Sequence, residues 1–157
     1  MKLTQFSNYA LRTLMFASLN NQRLCQCQEI SEAFNISKAH VVKCVHQLGQ
    51  WGFLQCVRGR NGGFRLARPA SDITVGAVIR KTEDTLDLVE CFNPATNSCP
   101  LISVCKLNRI LIKARDNFIA ELDEVTIQDI TENQAALKKL LNFVQDSPVQ
   151  IADAKIA

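Results

Sequence analysis

Between Ala33 and Ser71 the sequence contains no aspartate and no glutamate, although six of those 39 positions are lysine or arginine. The formal charge of +3 over 157 residues hides this asymmetry. Residues 1–71 carry nine basic and two acidic side chains, a local +7; residues 72–157 carry nine and thirteen, a local −4. So long an acid-free stretch excludes a mixed, self-neutralising surface and points to an anionic partner for the first half. No run of 18 apolar residues occurs, so no membrane-spanning helix is expected. The leading MKLTQFSNYALRTLMF lacks a secretory hydrophobic stretch because Arg12 interrupts it, and no small-residue cleavage site follows. A cytoplasmic protein without a membrane partner is therefore expected. A phosphate-cradling glycine fingerprint between strand and helix is absent, and His40 and His46 have no evident nucleophile or carboxylate arrangement, so no enzyme is predicted. Internal repeats and low-complexity blocks are also missing.

What is present reads as one domain with an added helix or arm. Hydrophobic residues make up 47% of the chain, ordinary for a buried core and incompatible with disorder. Phe6, Ala10, Leu11, Leu14 and Met15 recur at three- and four-residue intervals, which predicts a helix from about Thr4 to Leu19. A short helix is expected over Cys27 to Phe34, with Ile30, Ala33 and Phe34 inward. Asn35-Ile36-Ser37 makes a tight turn, and Ser37 is a good N-cap for a helix running to about Gln50. That helix buries Val41, Val45 and Leu48 and leaves Lys38, His40, Lys43 and Gln47 largely off the stripe. Two helices joined by a three-residue turn, the second basic outside, match helix-turn-helix geometry.

Two strand-like runs then flank Asn61-Gly62-Gly63, a strong hairpin signal. A hairpin after a helix-turn-helix is a wing, and Arg58, Arg60 and Arg65 stand about its tip. Thr74 to Glu83 reads as a further helix, packing beside the wing. Leu107, Ile110, Leu111, Ala114, Phe118 and Leu122 keep helical spacing while Ile112 and Ile119 lie off that stripe. A helix apolar on more than one face needs two partners, its own domain and a twofold-related copy. Thr126 to Val144 reads as one or two short helices.

These features predict DNA binding. Lysines and arginines that neutralise phosphates release counterions, which supplies most sequence-independent affinity. A helix over Ser37–Gln50 can enter the major groove with Lys38, His40 and Lys43 at base edges and phosphates, and arginines on a glycine-rich wing suit the minor groove or its backbone.

Seven cysteines divide into two groups. Cys25, Cys27, Cys44 and Cys56 share no metal-ligand spacing and read as small buried hydrophobes, with Cys25-Gln26-Cys27 a weak exception that could bind metal or oxidise. Cys91, Cys99 and Cys105 occupy one irregular segment as Cys-x7-Cys-x5-Cys, before the long helix. Thiolates on such a loop can wrap an iron–sulfur cluster or zinc, although the Cys-x2–4-Cys pairs zinc favours are absent. A zinc-stabilised DNA-binding module without cluster sensing is the reading from another class. Three ligands where four are usual imply an open or non-cysteine position.

The segments LTQFSNYALRTLMF, ISKAHVVKCVHQLGQWGF, VRGRNGGFRLARPASDITVGAVIR and LVECFNPATNSCPLISVCKL resemble the iron–sulfur winged-helix repressors, the family that includes the NsrR, RirA and IscR types. The resemblance covers roughly residues 1–132 and leans to the NsrR type on HVVKCVHQLGQ and DLVECF. It implies a mainly α fold: a winged helix-turn-helix with a β-hairpin wing, a cysteine-bearing cluster loop and a long C-terminal dimerisation helix. The implied divisions are a DNA-binding domain over 1–85 (helix-turn-helix about 28–51, wing about 53–68), a cluster loop over 86–105, dimerisation and C-terminal helices over 106–145, and a loose tail over 146–157. It further implies a homodimeric repressor on double-stranded operator DNA. Gln28, Ser37, Lys38, His40, Lys43, Arg58, Arg60, Asn61, Gly62, Gly63 and Arg65 are the DNA-facing candidates.

Cys91, Cys99 and Cys105 are the implied ligands of an iron–sulfur cluster, 4Fe–4S favoured over 2Fe–2S, that senses nitric oxide. The fourth ligand stays open among Asn8, Glu90, another carboxylate, water or a small thiol. NsrR-type chains commonly carry aspartate at the Asn8 position, whereas RirA-type iron sensors also have asparagine there. IscR-type chains place histidine three residues after the last cysteine, where this sequence has Asn108. An iron-responsive repressor of RirA or IscR type is the alternative.

Overall fold

The computed structural model describes residues 2–141; the expected tail over 146–157 and the end of the segment Thr126–Val144 lie outside them. Helix α1 (Gln5–Leu19) begins where the Thr4 hydroxyl accepts from the Ser7 N–H, at 3.2 Å, and it buries Ala10, Leu14, Phe16 and Ala17. Helix α2 (Cys27–Phe34) ends at Asn35, which takes the left-handed conformation (φ 51°) that asparagine tolerates better than most residues. Helix α3 (Lys38–Gln50) is capped by Ser37 as expected, and Val41, Val45 and Leu48 are buried, joined by Cys44. These three helices share one core with Ile30, Phe53, Leu54, Phe64, Ile73 and Val78.

The wing pairs β1 (Leu54–Val57) with β2 (Gly63–Leu66) in antiparallel register, Leu54 opposite Leu66 and Val57 opposite Gly63. That register leaves residues 58–62 as the tip, a wider loop than the Asn-Gly-Gly turn the sequence suggests. The Gly62 N–H donates to Gly59 O at 3.0 Å, and the left-handed position falls on Gly59 (φ 114°) rather than on Asn61. Cys25 adds an isolated bridge to Phe64 through paired backbone bonds of 2.8 and 3.0 Å, so the wing is stitched to the segment before α2.

Helix α4 (Val75–Thr82) packs on α1 and on α5 (Lys106–Asp123) rather than simply lying beside the wing. Gly76 lets α5 approach closely: a Cβ there would collide with the Asp123 carboxylate. The inward face of α5 also departs from expectation. Ile119, off the sequence stripe, is its buried apolar residue (7% exposed) and packs with Val75 and Ile79, while Leu107 and Ile110 are each 63% exposed. The C-terminal half of α5 packs on α4 and its N-terminal half meets the turn over Glu90–Phe92, so the stripe read over the whole helix mixes two surfaces. The segment after α5 returns along α4 through a Thr74–Thr126 bridge, a short 3-10 turn (Asp129–Thr131) and α6 (Gln134–Leu140). Among the described residues no helix is long and apolar enough to cross a membrane.

Candidate functional site

The DNA-facing candidates form a surface rather than a pocket. Gln28, Ser37, Lys38, His40, Lys43, Arg58, Arg60, Asn61 and Arg65 are exposed, and Gly62 and Gly63 are half-buried. Among the described residues none of the six cations from Lys38 to Arg68 stands in an ion pair, so no carboxylate neutralises them. His40 is oriented by Ser37, whose Oγ lies 2.9 Å from its Nδ1, and by the Tyr9 ring at 5.8 Å. Lys43 lies over the Phe6 ring at 6.0 Å. Phe6 and Tyr9, which the sequence marked only as part of a helix, therefore hold the basic face of α3 from the side of α1. On the wing, Arg65 donates to the Gln55 side chain of the paired strand at 2.9 Å, and Gln26 donates to Gly62 O. The Gln26-x-x-Glu29 spacing was the available signal for that anchor, since the Glu29 carboxylate also accepts from the Gln26 N–H at 2.6 Å.

The four cysteines of this half differ in burial. Cys25 and Cys44 are buried, and burial pushes their thiols up to about 12 and about 11. Cys27 is half-buried and raised by burial first and then by neighbouring Cys56, against a smaller lowering by Lys38. Cys56 corrects the sequence reading: it is exposed, because β1 turns only Leu54 fully into the core.

The second group is arranged about the first turn of α5. Cys105 is the N-cap of that helix, and its Sγ accepts from the Asn108 N–H at 3.4 Å. The Asn108 side-chain amide donates to Cys91 Sγ at 3.1 Å, and Asn108 itself is buried (8% exposed). Two of the three loop cysteines are thus gathered on one residue, which the sequence flagged only as a departure from histidine. Cys99 is exposed, and among the described residues no three His, Cys, Asp or Glu are grouped to hold a metal ion. The Glu90 carboxylate is engaged with Ser98, accepting from its hydroxyl at 2.9 Å and its N–H at 3.3 Å, which clamps the neighbours of Cys91 and Cys99. Asn8 is exposed on α1, a different element from the cysteines. Beyond the loop, Arg80 of α4 grips Asp123 of α5 through two bonds of 2.6 and 2.5 Å. The hydrogen bonds from Arg80 hold the Asp123 carboxyl below its ordinary value.

A family described as Rrf2, iron-dependent transcriptional regulator, matches residues 3–133. The chain is 43% identical over 143 residues to the HTH-type transcriptional regulator NsrR of Bacillus licheniformis, spanning 90% of this chain and 100% of that one. It is 40% identical to NsrR of Bacillus subtilis over 91% of this chain and 99% of the relative. Among solved structures, T. potens IscR superposes with a TM-score of 0.68 at 21% identity, covering 85% of this chain and 88% of the other, which bears on the fold. The chain belongs to the Rrf2 family and is a DNA-binding transcriptional regulator, not an enzyme.

Proposed function

We propose that this chain is a homodimeric repressor of the NsrR type, bound to double-stranded operator DNA through α3 and the wing and controlled by nitric oxide acting at an iron–sulfur cluster. The observation that carries the reading is the convergence of Cys91 and Cys105 on buried Asn108, in a chain about 40% identical over nine-tenths of its length to regulators named NsrR. The donor set fits such a group: thiolates are its usual ligands, two are gathered at one helix end, and Cys99 follows Ser98, which Glu90 holds. Cys91, Cys99 and Cys105 would hold the cluster, 4Fe–4S before 2Fe–2S, with Asn8, Glu90 or water at the remaining position. Cys99 joins the other two through a local movement of the turn over 93–104.

Lys38, His40 and Lys43 meet base edges and phosphates in the major groove, with Gln28 and Ser37 at the backbone beside it. Arg58, Arg60, Asn61, Gly62, Gly63 and Arg65 bring the wing to the minor groove. The exposed apolar residues Leu107 and Ile110, continued by Leu101, Ile102 and Val104, are the surface that buries against the second copy.

When bound, the cluster supplies thiolate-held iron as the target of nitric oxide. The remaining steps belong to the chain. Cys91 and Cys105, held to one centre, fix the loop against the first turn of α5; released, they free it. A shift of α5 reaches α4 through Asp123 and Arg80. It continues to α1 through Glu83, which accepts from the Thr4 N–H at 2.8 Å, and through the Ser7–Thr82 hydroxyl pair at 2.7 Å. Helix α1 packs on α3, so the spacing of two recognition helices across a dimer responds. Half-sites about 34 Å apart demand that spacing, and a coupling of about 1–3 kcal/mol suffices to shift occupancy.

The test is anaerobic purification with iron, zinc and sulfide analysis, then binding to DNA fragments selected by the loaded protein. Iron with sulfide, and binding lost on nitric oxide addition, is the expected result. Zinc without sulfide supports the zinc-stabilised module. Asn8 and the iron-dependent description of the family favour one second reading, an iron-responsive repressor. Release of DNA on iron depletion but not on nitric oxide selects it. Colourless protein that binds DNA equally with and without iron contradicts both cluster readings.

A further inference from the structure

Asn108 stands in the first turn of α5, yet it is buried while its neighbours Leu107 and Arg109 are exposed. An amide is costly to bury unless its polar atoms find partners. Here the partners are sulfur atoms: the side-chain Nδ2 donates to Cys91 Sγ at 3.1 Å and the backbone N–H donates to Cys105 Sγ at 3.4 Å. The two cysteines are fourteen positions apart in sequence, and one asparagine holds both. The backbone bond comes with the helix start and survives any side chain at 108. The amide bond to Cys91 depends on asparagine.

We propose that Asn108 is a positioning residue for the cluster thiolates, its side-chain amide directing Cys91 toward Cys105 and remaining as an N–H···S donor to the ligated sulfur. This rests on the reading that the loop cysteines take a cluster, and it adds a determinant beyond the three ligands. A donor to a ligand sulfur does two things. It orients the ligand before loading, as outer-shell partners do at metal sites, where their loss typically costs on the order of 10- to 100-fold in affinity. It also stabilises electron density on the sulfur, which favours the reduced cluster and raises its potential. Glu90 acts differently, since its carboxylate ties the loop backbone at Ser98 and touches no thiol directly.

The test compares the full-length chain with Asn108→Ala, which removes the donor, and Asn108→Asp, which keeps the shape and replaces the donor with a negative charge beside the thiolate. Each is loaded anaerobically with ferrous iron, cysteine and a cysteine desulfurase. Iron and sulfide content, the rate of iron loss to a fixed chelator and the cluster midpoint potential are then measured. Expected for both variants is iron loss on the order of 10- to 100-fold faster, with Asn108→Asp at least as fast as Asn108→Ala, and a midpoint potential displaced to more negative values. A residue that merely packed would leave the potential unmoved, and Asn108→Asp would then behave as the wild type. Equal loss rates and potentials in a wild type that does hold iron and sulfide overturn the role of Asn108 and leave the cluster reading standing. A wild type that takes up no iron with sulfide overturns that reading, and the role of Asn108 with it.

Discussion

The winged half of the molecule and the cysteine loop are built on opposite principles. From α1 to α4 helices are capped by Thr4, Ser37 and Thr74 and bury an apolar core, to which α4 adds a second cluster with Ile119 of α5. From Glu83 to Leu107 no residue is fully buried. The loop's backbone bonds run between residues three or four apart, such as Phe92 to Val89 and Thr96 to Asn93. Its longer ties are Glu90 to Ser98, Asn108 to Cys91 and, at its start, Glu83 to Thr4 and Ser7. Burial holds Cys25 and Cys44 of the winged half as high-pKa thiols, and no loop cysteine is fully buried; Cys56 at the wing and Cys99 in the loop are both exposed. A region without a core of its own has little local stability, so a few bonds at Cys91 and Cys105 can decide its arrangement. The winged half is the rigid part and the loop the adjustable part.

Substitutions can break that contrast. The largest effect is expected from Cys91→Ser, which should abolish retained iron and sulfide while leaving thermal unfolding of the helical core nearly unchanged; metal analysis and a circular dichroism melt on one sample check both. Phe64→Ala should do the reverse. Phe64 of β2 is buried in the core of the helices, and its truncation should cost about 3–5 kcal/mol in denaturant unfolding, with iron per folded chain unaltered.

Arg60→Ala should move neither quantity. Arg60 is exposed at the wing tip, so stability should stay within about 0.5 kcal/mol. DNA binding should weaken across sequences and the salt slope fall by about one for a phosphate contact, read from binding isotherms at several salt concentrations. The smallest effect concerns acid. The hydrogen bonds from Arg80 lower the Asp123 pKa beneath 3.8, so ionised Asp123 favours the folded state above its unfolded value. That contribution is lost as pH falls through the lowered folded value, and Asp123→Asn should therefore flatten the stability profile only below about pH 4. Thermal melts from pH 3 to 6 check it.

Much of the winged half was legible because its signals are local. Ser37 before a basic amphipathic run, glycines between two short apolar runs and Thr74 before Val75 each report on a few consecutive residues. The errors arose where distant segments meet. The burial of Ile119 is decided by α4, the bridge from Cys25 to Phe64 by the approach of the wing, and the exposure of Cys56 by a strand that leaves the core after Leu54. The three loop cysteines are singled out by their spacing. Asn108 was not given a role, because nothing in Cys-x5-Cys-x2-Asn says that the amide turns back seventeen positions to Cys91.

The central claim is that the adjustable loop governs the rigid DNA-facing half through the state of its thiol-bound iron. It is tested most directly by visible spectroscopy of the anaerobic loaded protein during stepwise nitric oxide addition, with DNA binding measured on the same samples. The expected result is loss of the cluster absorbance at a few nitric oxide molecules per cluster, with DNA binding falling in step. Bleaching that leaves DNA binding unchanged would contradict the account.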